Sequence, residues 1–445
     1  MKLTIIGSGP GGYETALKAA ERGLEVTLIS AGPLGGTCLN EGCIPTKALR
    51  RSAEVADLVA DAAGYGIQAT ALGLDLAQIM ARKEEIVTQL RGGIEFLLNK
   101  AKVSVLYGRA SFVDSRTVRV SLNDGGETTV SSDAIFVATG SVSASLPIPG
   151  AELAVDSTAI LSLQEIPRRL CVIGAGVIGL EFASIYRSFG SDVIVLEYCK
   201  EILPRFDTDL SKRLKQSLSK KGISIETSAA VQAIAKSPDG SLKVTYNKKD
   251  QPQEVEADKV LMAVGRRPAL DSLNFADIGI ETGRGVIVDE NFQTNIPGIY
   301  AFGDIIGGYM LAHVATAQGL HALNHLTGQK DGIDFGIVPA AVFTSPEAAT
   351  VGLSEDDCKE RGIPVKCLKS NFRANGKALT MGETDGFIKV VVSEEDDKIL
   401  GCHLFGPHAS DLIHEMTALI ARHTPLAEFR DIIHAHPTLS EALMA

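Results

Sequence analysis

One pattern occurs twice in this chain of 445 residues and leaves few folds open to it. Near the start runs KLTIIGSGPGGYETALKAAERGLEVTLIS, and in the middle RRLCVIGAGVIGLEFASIYRSFGSDVIVLE. Each reads as an apolar strand, a G-x-G-x-x-G turn, a helix with apolar residues three and four apart, and a second apolar strand. The glycines are Gly7, Gly9 and Gly12 in the first copy, and Gly174, Gly176 and Gly179 in the second. In such a βαβ unit the first glycine makes the tight turn, the second lets a pyrophosphate approach the backbone, and the third lets helix and strand pack closely. The pyrophosphate rests on the helix N-terminus, where unbonded N–H groups and the dipole favour an anion. A single turn of this kind is weak evidence. Two, each flanked by strands, point to two dinucleotide sites and so to a redox enzyme with two such cofactors.

The copies are offset by 167 residues, from Gly7 to Gly174, and that offset also aligns their second strands. The second copy ends at Glu197, the place where a carboxylate grips an adenosine ribose and repels a 2′-phosphate, so this site prefers NAD to NADP. The first copy has Ser30 there, a hydrogen-bonding side chain without the carboxylate.

The net charge of −11 argues against a nucleic-acid partner, which wants a basic face. No apolar run reaches the ~18 residues of a membrane span, and since MKLTIIGSGPGG reads directly as a strand, no signal peptide is expected. A reducing, cytoplasmic setting is the expectation, in which a close cysteine pair is catalytic or metal-binding more often than structural. Such a pair is present in GGTCLNEGCIPTKALRRS, as Cys38 and Cys43. A zinc site would need two further Cys or His ligands, and none lies nearby. A structural staple closing so small a loop adds little to a chain of this size. The remaining reading is a redox dithiol, with Cys38 activated at a helix start. Lys47 follows Cys43 by four residues, one helical turn, and faces the same side.

The segment GGTCLNEGCIPTKAL resembles the active-site segment of the flavin-dependent pyridine nucleotide–disulfide oxidoreductases. Further matches follow in that family's order: FVATGS at 136–141, AVGRRP at 263–268, IYAFGD at 299–304, MLAHVATAQG at 310–319 and HAHPTLSEA at 434–442. The resemblance spans essentially the whole chain. It implies an α/β fold with two Rossmann-like dinucleotide-binding domains and a C-terminal α+β dimerisation domain. Residues 1–144 and 267–333 would bind FAD, 145–266 would bind NAD, and 334–445 would form the interface of a homodimer. On the FAD side it implicates Gly36, Thr37, Lys47, Ala110 beside the adenine, Thr139, Gly140, Asp304 on the ribityl chain, and Leu311 and Ala312 at the flavin ring. On the NAD side it implicates Ile178, Glu181 near the nicotinamide and paired with Lys47, and Gly265. Alone, Asp304 reads as a turn residue and Glu181 as a helix-face glutamate.

Near the other end, IIHAHPTLSEALMA offers a base. His436 matches the family's catalytic histidine and Glu441 its carboxylate partner, while the spacing Thr438-x-x-Glu441 is also that of a helix capping box. His434 reads as a neighbour. The resemblance implies that this pair serves the cysteines of the other subunit. It is most similar to the family members that oxidise dihydrolipoamide, carried on a partner lipoyl protein of a 2-oxo acid dehydrogenase or glycine cleavage complex, with NAD as acceptor. Cys38 would take the thiolate attack and Cys43 would lie beside the flavin. The alternatives are a glutathione-type reductase, against which Glu197 argues, and a flavoprotein acting mainly as a docked subunit. No metal site is expected.

Overall fold

The structure is a computed structural model and describes residues 1–69 and 73–444. The chain forms two compact units and enters each more than once. Unit one holds residues 1–48, 77–144 and 266–333, and unit two holds 49–76, 145–265 and 334–445. Residues 49–76, placed in the first nucleotide domain on sequence grounds, group with the second unit.

Unit one is built on a seven-stranded sheet. Its parallel part runs Ile299–Ala301, Ala134–Val137, Lys2–Ile6, Glu25–Ser30 and Ser104–Phe112, and the antiparallel strands Thr117–Leu122 and Glu127–Ser131 extend it. The central strands are near-continuous apolar runs, as expected where a parallel sheet is covered on both faces, and Leu3, Ile5, Leu28, Ile135, Phe136 and Val137 are essentially inaccessible. Helix α1 (Pro10–Glu21) follows the first turn. Then come α2 (Gly36–Glu41) and α3 (Cys43–Ala60), which together carry the cysteine segment, and the 25-residue α4 (Leu76–Lys100).

Unit two repeats the theme on a smaller scale. A four-stranded parallel sheet runs Ile223–Thr227, Asp192–Glu197, Arg169–Ile173 and Lys259–Met262, with α5 (Val177–Ser188) after its turn and α6 (Thr208–Lys220) before its edge strand. The last helix of unit one is α7 (Ala312–Leu326). The C-terminal part of unit two is a five-stranded antiparallel sheet in the order Ala340–Val342, Glu347–Gly352, Ile399–Gly406, Phe387–Ser393 and Val365–Asn371, with α8 (Glu355–Arg361) nearby. Its core gathers Ile388, Val390, Cys402, Leu404, Ile413 and Phe429.

One charge lies inside this apolar setting. Lys389 sits in the strand FIKVVVS and is 1% exposed. Its Nζ meets Asp207 at 2.9 Å, Asp209 at 3.1 Å and Glu355 at 2.6 Å. Asp207 is itself buried and caps α6 by accepting from the Asp209 and Leu210 amides. Burial alone would lower the lysine's pKa, but these carboxylates outweigh it and hold the pKa above its ordinary value. Lys389→Met strands a buried carboxylate without its cation, which costs about 3–5 kcal/mol. The expected reading is a clearly lower urea midpoint, and an unchanged midpoint would refute the role. The network also predicts acid sensitivity. Hydrogen bonding from Lys369, aided by Lys389, holds Asp209 down to about 2. Because the folded pKa is depressed, its stabilisation is present above the ordinary carboxylate range and is lost as pH falls toward 2.

Candidate active site

The two nucleotide turns have the same construction. A Cβ on Gly7, where φ is +111°, would lie 2.2 Å from the Ala138 carbonyl oxygen, and one on Gly12 would lie 1.8 Å from that of Gly7. In the second copy a Cβ on Gly174 would lie 2.5 Å from the Ala263 carbonyl oxygen, and one on Gly179 would lie 2.0 Å from that of Gly174. The middle glycines differ: a Cβ on Gly9 or on Gly176 would meet nothing within 4 Å. Each middle glycine is also the N-cap of its helix and supplies no side-chain cap. The first and third glycines are thus closed in by backbone, while the second faces open space beside a helix start, as a pyrophosphate requires.

The rest of the first site lies in unit one. Thr139 has a buried hydroxyl oxygen with no hydrogen-bond partner among the described residues, the kind of orphan a cofactor satisfies. Gly140 has a left-handed φ of +77° and its carbonyl accepts from the Ala269 amide. Ala110 is buried on the strand Ser104–Phe112. Asp304 accepts from the Ser141 hydroxyl at 2.5 Å, and Ser141 in turn accepts from Arg266 Nε at 2.7 Å. Leu311 is the N-cap of α7 and Ala312 its first residue, again without a side-chain cap. Together these groups fit an FAD.

The second site lies in unit two. Glu197 ends its strand 7% exposed, with Oε2 accepting from the Ala175 amide at 2.6 Å and Oε1 from the Cys199 amide at 2.7 Å. Ile178 and Glu181 lie on α5. Glu181 is 4% exposed, and its Oε1 accepts from the Phe343 amide at 3.0 Å. Gly265 has a φ of +112° and no atom where a Cβ would go. These groups fit an NAD.

The cysteine segment is fastened to the first turn. The Gly35 amide donates to the Ser8 carbonyl at 2.9 Å, and a Cβ on Gly36 would lie 2.6 Å from Gly9 Cα. Thr37 and Cys38 follow on α2, both partly buried, and Cys43 is the exposed first residue of α3. Cys38 and Cys43 are thiols here. The expectation that a helix start lowers the Cys38 pKa is corrected. Its hydrogen bond with Cys43, then burial, then the charge of Cys43 push that pKa well up, with only partial relief from Lys47. Cys38 is the third residue of the six-residue α2, and Cys43 is the first of the 18-residue α3.

At the far end, His436 Nδ1 lies 2.9 Å from Glu441 Oε1, and Glu441 Oε2 accepts from the Thr438 amide at 2.8 Å. The glutamate therefore makes the backbone bond of a capping box and the histidine bond together. The Thr438 hydroxyl instead donates to the Ala435 carbonyl, and the final helix is a single 3₁₀ turn, Ser440–Leu443. The Thr438 amide first and His436 second hold the Glu441 pKa below its ordinary value. An ionised carboxylate only accepts, so Nδ1 carries the ring proton and Nε2 is left as the base. The His436 side chain is 78% exposed. His434 is different. It bonds Glu415 on the helix Ala409–Ala421 at 2.7 Å and stacks edge-on against Phe429, which anchors the segment.

Sequence reasoning missed several supports. Asn40 Nδ2 donates to the Leu34 and Gly36 carbonyls, while Arg91 of α4 donates to its Oδ1 at 3.1 Å, which pins α2. Ser141 and Arg266 stand behind Asp304, and the Gln318 side chain accepts from the Gly303 amide at 2.8 Å. Asn40, Ser141, Arg266 and Gln318 lie within the quoted motifs, but nothing in those motifs marks which partner each will meet, and Arg91 lies outside them. Among the described residues no group of three or more His, Cys, Asp or Glu is placed to hold a metal ion, and no helix is long and apolar enough to cross a membrane.

Two nucleotide cradles on separate parallel sheets, with a dithiol tied to the first, define a class: enzymes that exchange electrons between thiols and a nicotinamide cofactor through a flavin. Comparison with known proteins narrows this. The model of the pyridine nucleotide-disulphide oxidoreductases matches residues 1–319 and that of their dimerisation domain matches residues 338–445, so the chain belongs to this family. It is 41% identical to the dihydrolipoyl dehydrogenase of Geobacillus stearothermophilus, with 99% of this chain and 94% of that protein covered. The mitochondrial dihydrolipoyl dehydrogenase of Pisum sativum is 40% identical, covering 99% and 89%. Among solved structures, LpdA from Mycobacterium tuberculosis superposes with a TM-score of 0.92 at 28% identity, covering 100% and 98%. The HOCl-induced flavoprotein disulfide reductase RclA from Escherichia coli gives 0.89 at 30% identity, again covering 100% and 98%. The chain is a flavoprotein oxidoreductase that uses FAD and NAD.

Proposed function

We propose that this chain oxidises dihydrolipoamide, presented on a partner lipoyl protein, to lipoamide with reduction of NAD, and that it does so as a homodimer. The observation that carries the reading is the Cys38–Cys43 pair, hydrogen-bonded together on a segment tied to the first nucleotide turn. The full-length likeness to dihydrolipoyl dehydrogenases supports the substrate.

The resting form holds the pair as a disulfide. His436 Nε2 takes a proton from one substrate thiol, and the thiolate attacks Cys38, which breaks the Cys38–Cys43 bond and leaves Cys43 as a thiolate. The second substrate thiol, deprotonated in turn, displaces Cys38 and closes lipoamide. The substrate has lost two electrons and two protons, and the pair is a dithiol. Bound FAD supplies the two-electron relay from this pair to NAD, which leaves as NADH with one proton released. Glu441 keeps the imidazole in its working tautomer and stabilises its charged form. The dyad of one subunit serves the cysteines of the other. Glu197, with both carboxylate oxygens already oriented by backbone amides, favours a free ribose 2′-hydroxyl over a 2′-phosphate.

The test is turnover of the purified holoprotein with lipoamide or glutathione disulfide, each with NADH and with NADPH. Fast turnover only with NADH and lipoamide is expected. Activity on glutathione disulfide, or a preference for NADPH, would overturn the specificity while leaving the family intact.

A further inference from the structure

The two copies of the nucleotide unit can be compared atom by atom within one chain. The shared offset places Ser8 with Ala175, Ser30 with Glu197 and Gly32 with Cys199. In the second copy Glu197 spans this triangle, bonded to the amides of Ala175 and Cys199. Four of the carboxylate's acceptor directions exist and two are in use, so a charged acceptor remains for ribose hydroxyls. In the first copy the same triangle closes on itself. The Ser30 hydroxyl donates to the Gly32 carbonyl at 2.7 Å and lies 2.5 Å from the Ser8 hydroxyl. Ser30 has one proton, committed to Gly32, so Ser8 donates to Ser30. One neutral lone pair of Ser30 is left, and the side chains are nearly inaccessible, with Ser30 2% and Ser8 5% exposed.

We propose that the first nucleotide site holds its adenosine ribose without a charged side-chain grip, and that FAD is therefore an exchangeable cofactor of this protein, with occupancy set by its concentration. This rests on the reading of the first site as the flavin site. A hydrogen bond to a charged acceptor is roughly twice as strong as a neutral one, and the missing pair corresponds to an affinity about tenfold to a hundredfold lower than the same cradle would have with a carboxylate. The remaining hold comes from the turn, the α1 start, and the groups around Thr139, Asp304 and α7.

The experiment follows flavin release rather than turnover. Holoprotein is diluted in steps, and free FAD is read by its fluorescence. The parent is expected to lose FAD reversibly on dilution to low micromolar or submicromolar concentration and to recover it on addition of FAD. Ser30→Glu, which offers the Ser8 and Gly32 amides the carboxylate that Glu197 offers Ala175 and Cys199, is expected to tighten FAD by about tenfold or more. A parent that retains all its FAD through the dilution overturns the proposal without any variant. A Ser30→Glu protein that folds and binds FAD no more tightly overturns the cause assigned to it. The reverse change, Glu197→Ser, is expected to weaken NADH binding by a similar factor while FAD release stays as in the parent. A chain that takes up no FAD under any condition would fail the reading of the first site itself, which is a different result from a tightly held flavin.

Discussion

Cys38→Ser is expected to abolish turnover with dihydrolipoamide, by about a thousandfold or more, while the protein keeps its fold and its FAD. A nucleophile that forms a covalent mixed disulfide has no substitute, and losses of this order accompany removal of such groups. Of the five other cysteines, Cys171, Cys358 and Cys402 are buried and Cys199 and Cys367 partly buried, and burial is the first cause raising the thiol pKa of each. The structure sharpens what to measure. Removing Cys38 also removes its hydrogen bond with Cys43 and the only sulfur with which Cys43 closes the disulfide of this mechanism. Titration of accessible thiols before and after reduction with NADH should find two additional thiols in the parent and none in the variant. Retention of even a tenth of parental activity would remove the Cys38–Cys43 disulfide from the reaction, because Cys43 alone has no sulfur to pair with.

What could be read from the chain alone follows a physical rule. The turns at Gly7 and Gly174 were legible because backbone geometry demands glycine there, and each demand is local, imposed by a carbonyl that a Cβ would strike. Glu197 was legible because its place is set by a strand only six residues long. The Asp304–Ser141–Arg266 chain was not, because its members stand 163 and 125 residues apart and no local periodicity marks a hydroxyl that will lie between a carboxylate and a guanidinium. Lys389 was hidden for a related reason. A lysine in an otherwise apolar strand reads as an outward-facing residue until the carboxylates of Asp207 and Glu355 are brought to it. The direction of the Cys38 shift was not legible because it is set by its hydrogen bond with Cys43 and by burial, which a helix start in the sequence does not show. The grouping of residues 49–76 with the second unit was equally out of reach, since α3 runs unbroken from Cys43 to Ala60 across the division.

His436→Gln carries the second large effect, a loss of about 10²–10⁴ in turnover, the usual contribution of a positioned general base. The geometry makes this a clean test of chemistry. The imidazole is largely exposed on its own subunit, so its replacement leaves no buried cavity, and the thermal midpoint and FAD content are expected to match the parent. Glu441 should behave differently when changed to alanine. It holds the His436 Nδ1 proton and also the Thr438 amide, so its loss frees the ring to change tautomer and loosens the final turn, and activity and local order fall together. The depressed Glu441 pKa means the carboxylate stays ionised below the ordinary carboxylate range, so on acidification it keeps its bonds to His436 Nδ1 and the Thr438 amide down through that range. Activity within about threefold of the parent would remove His436 from the chemistry and leave the base to another group.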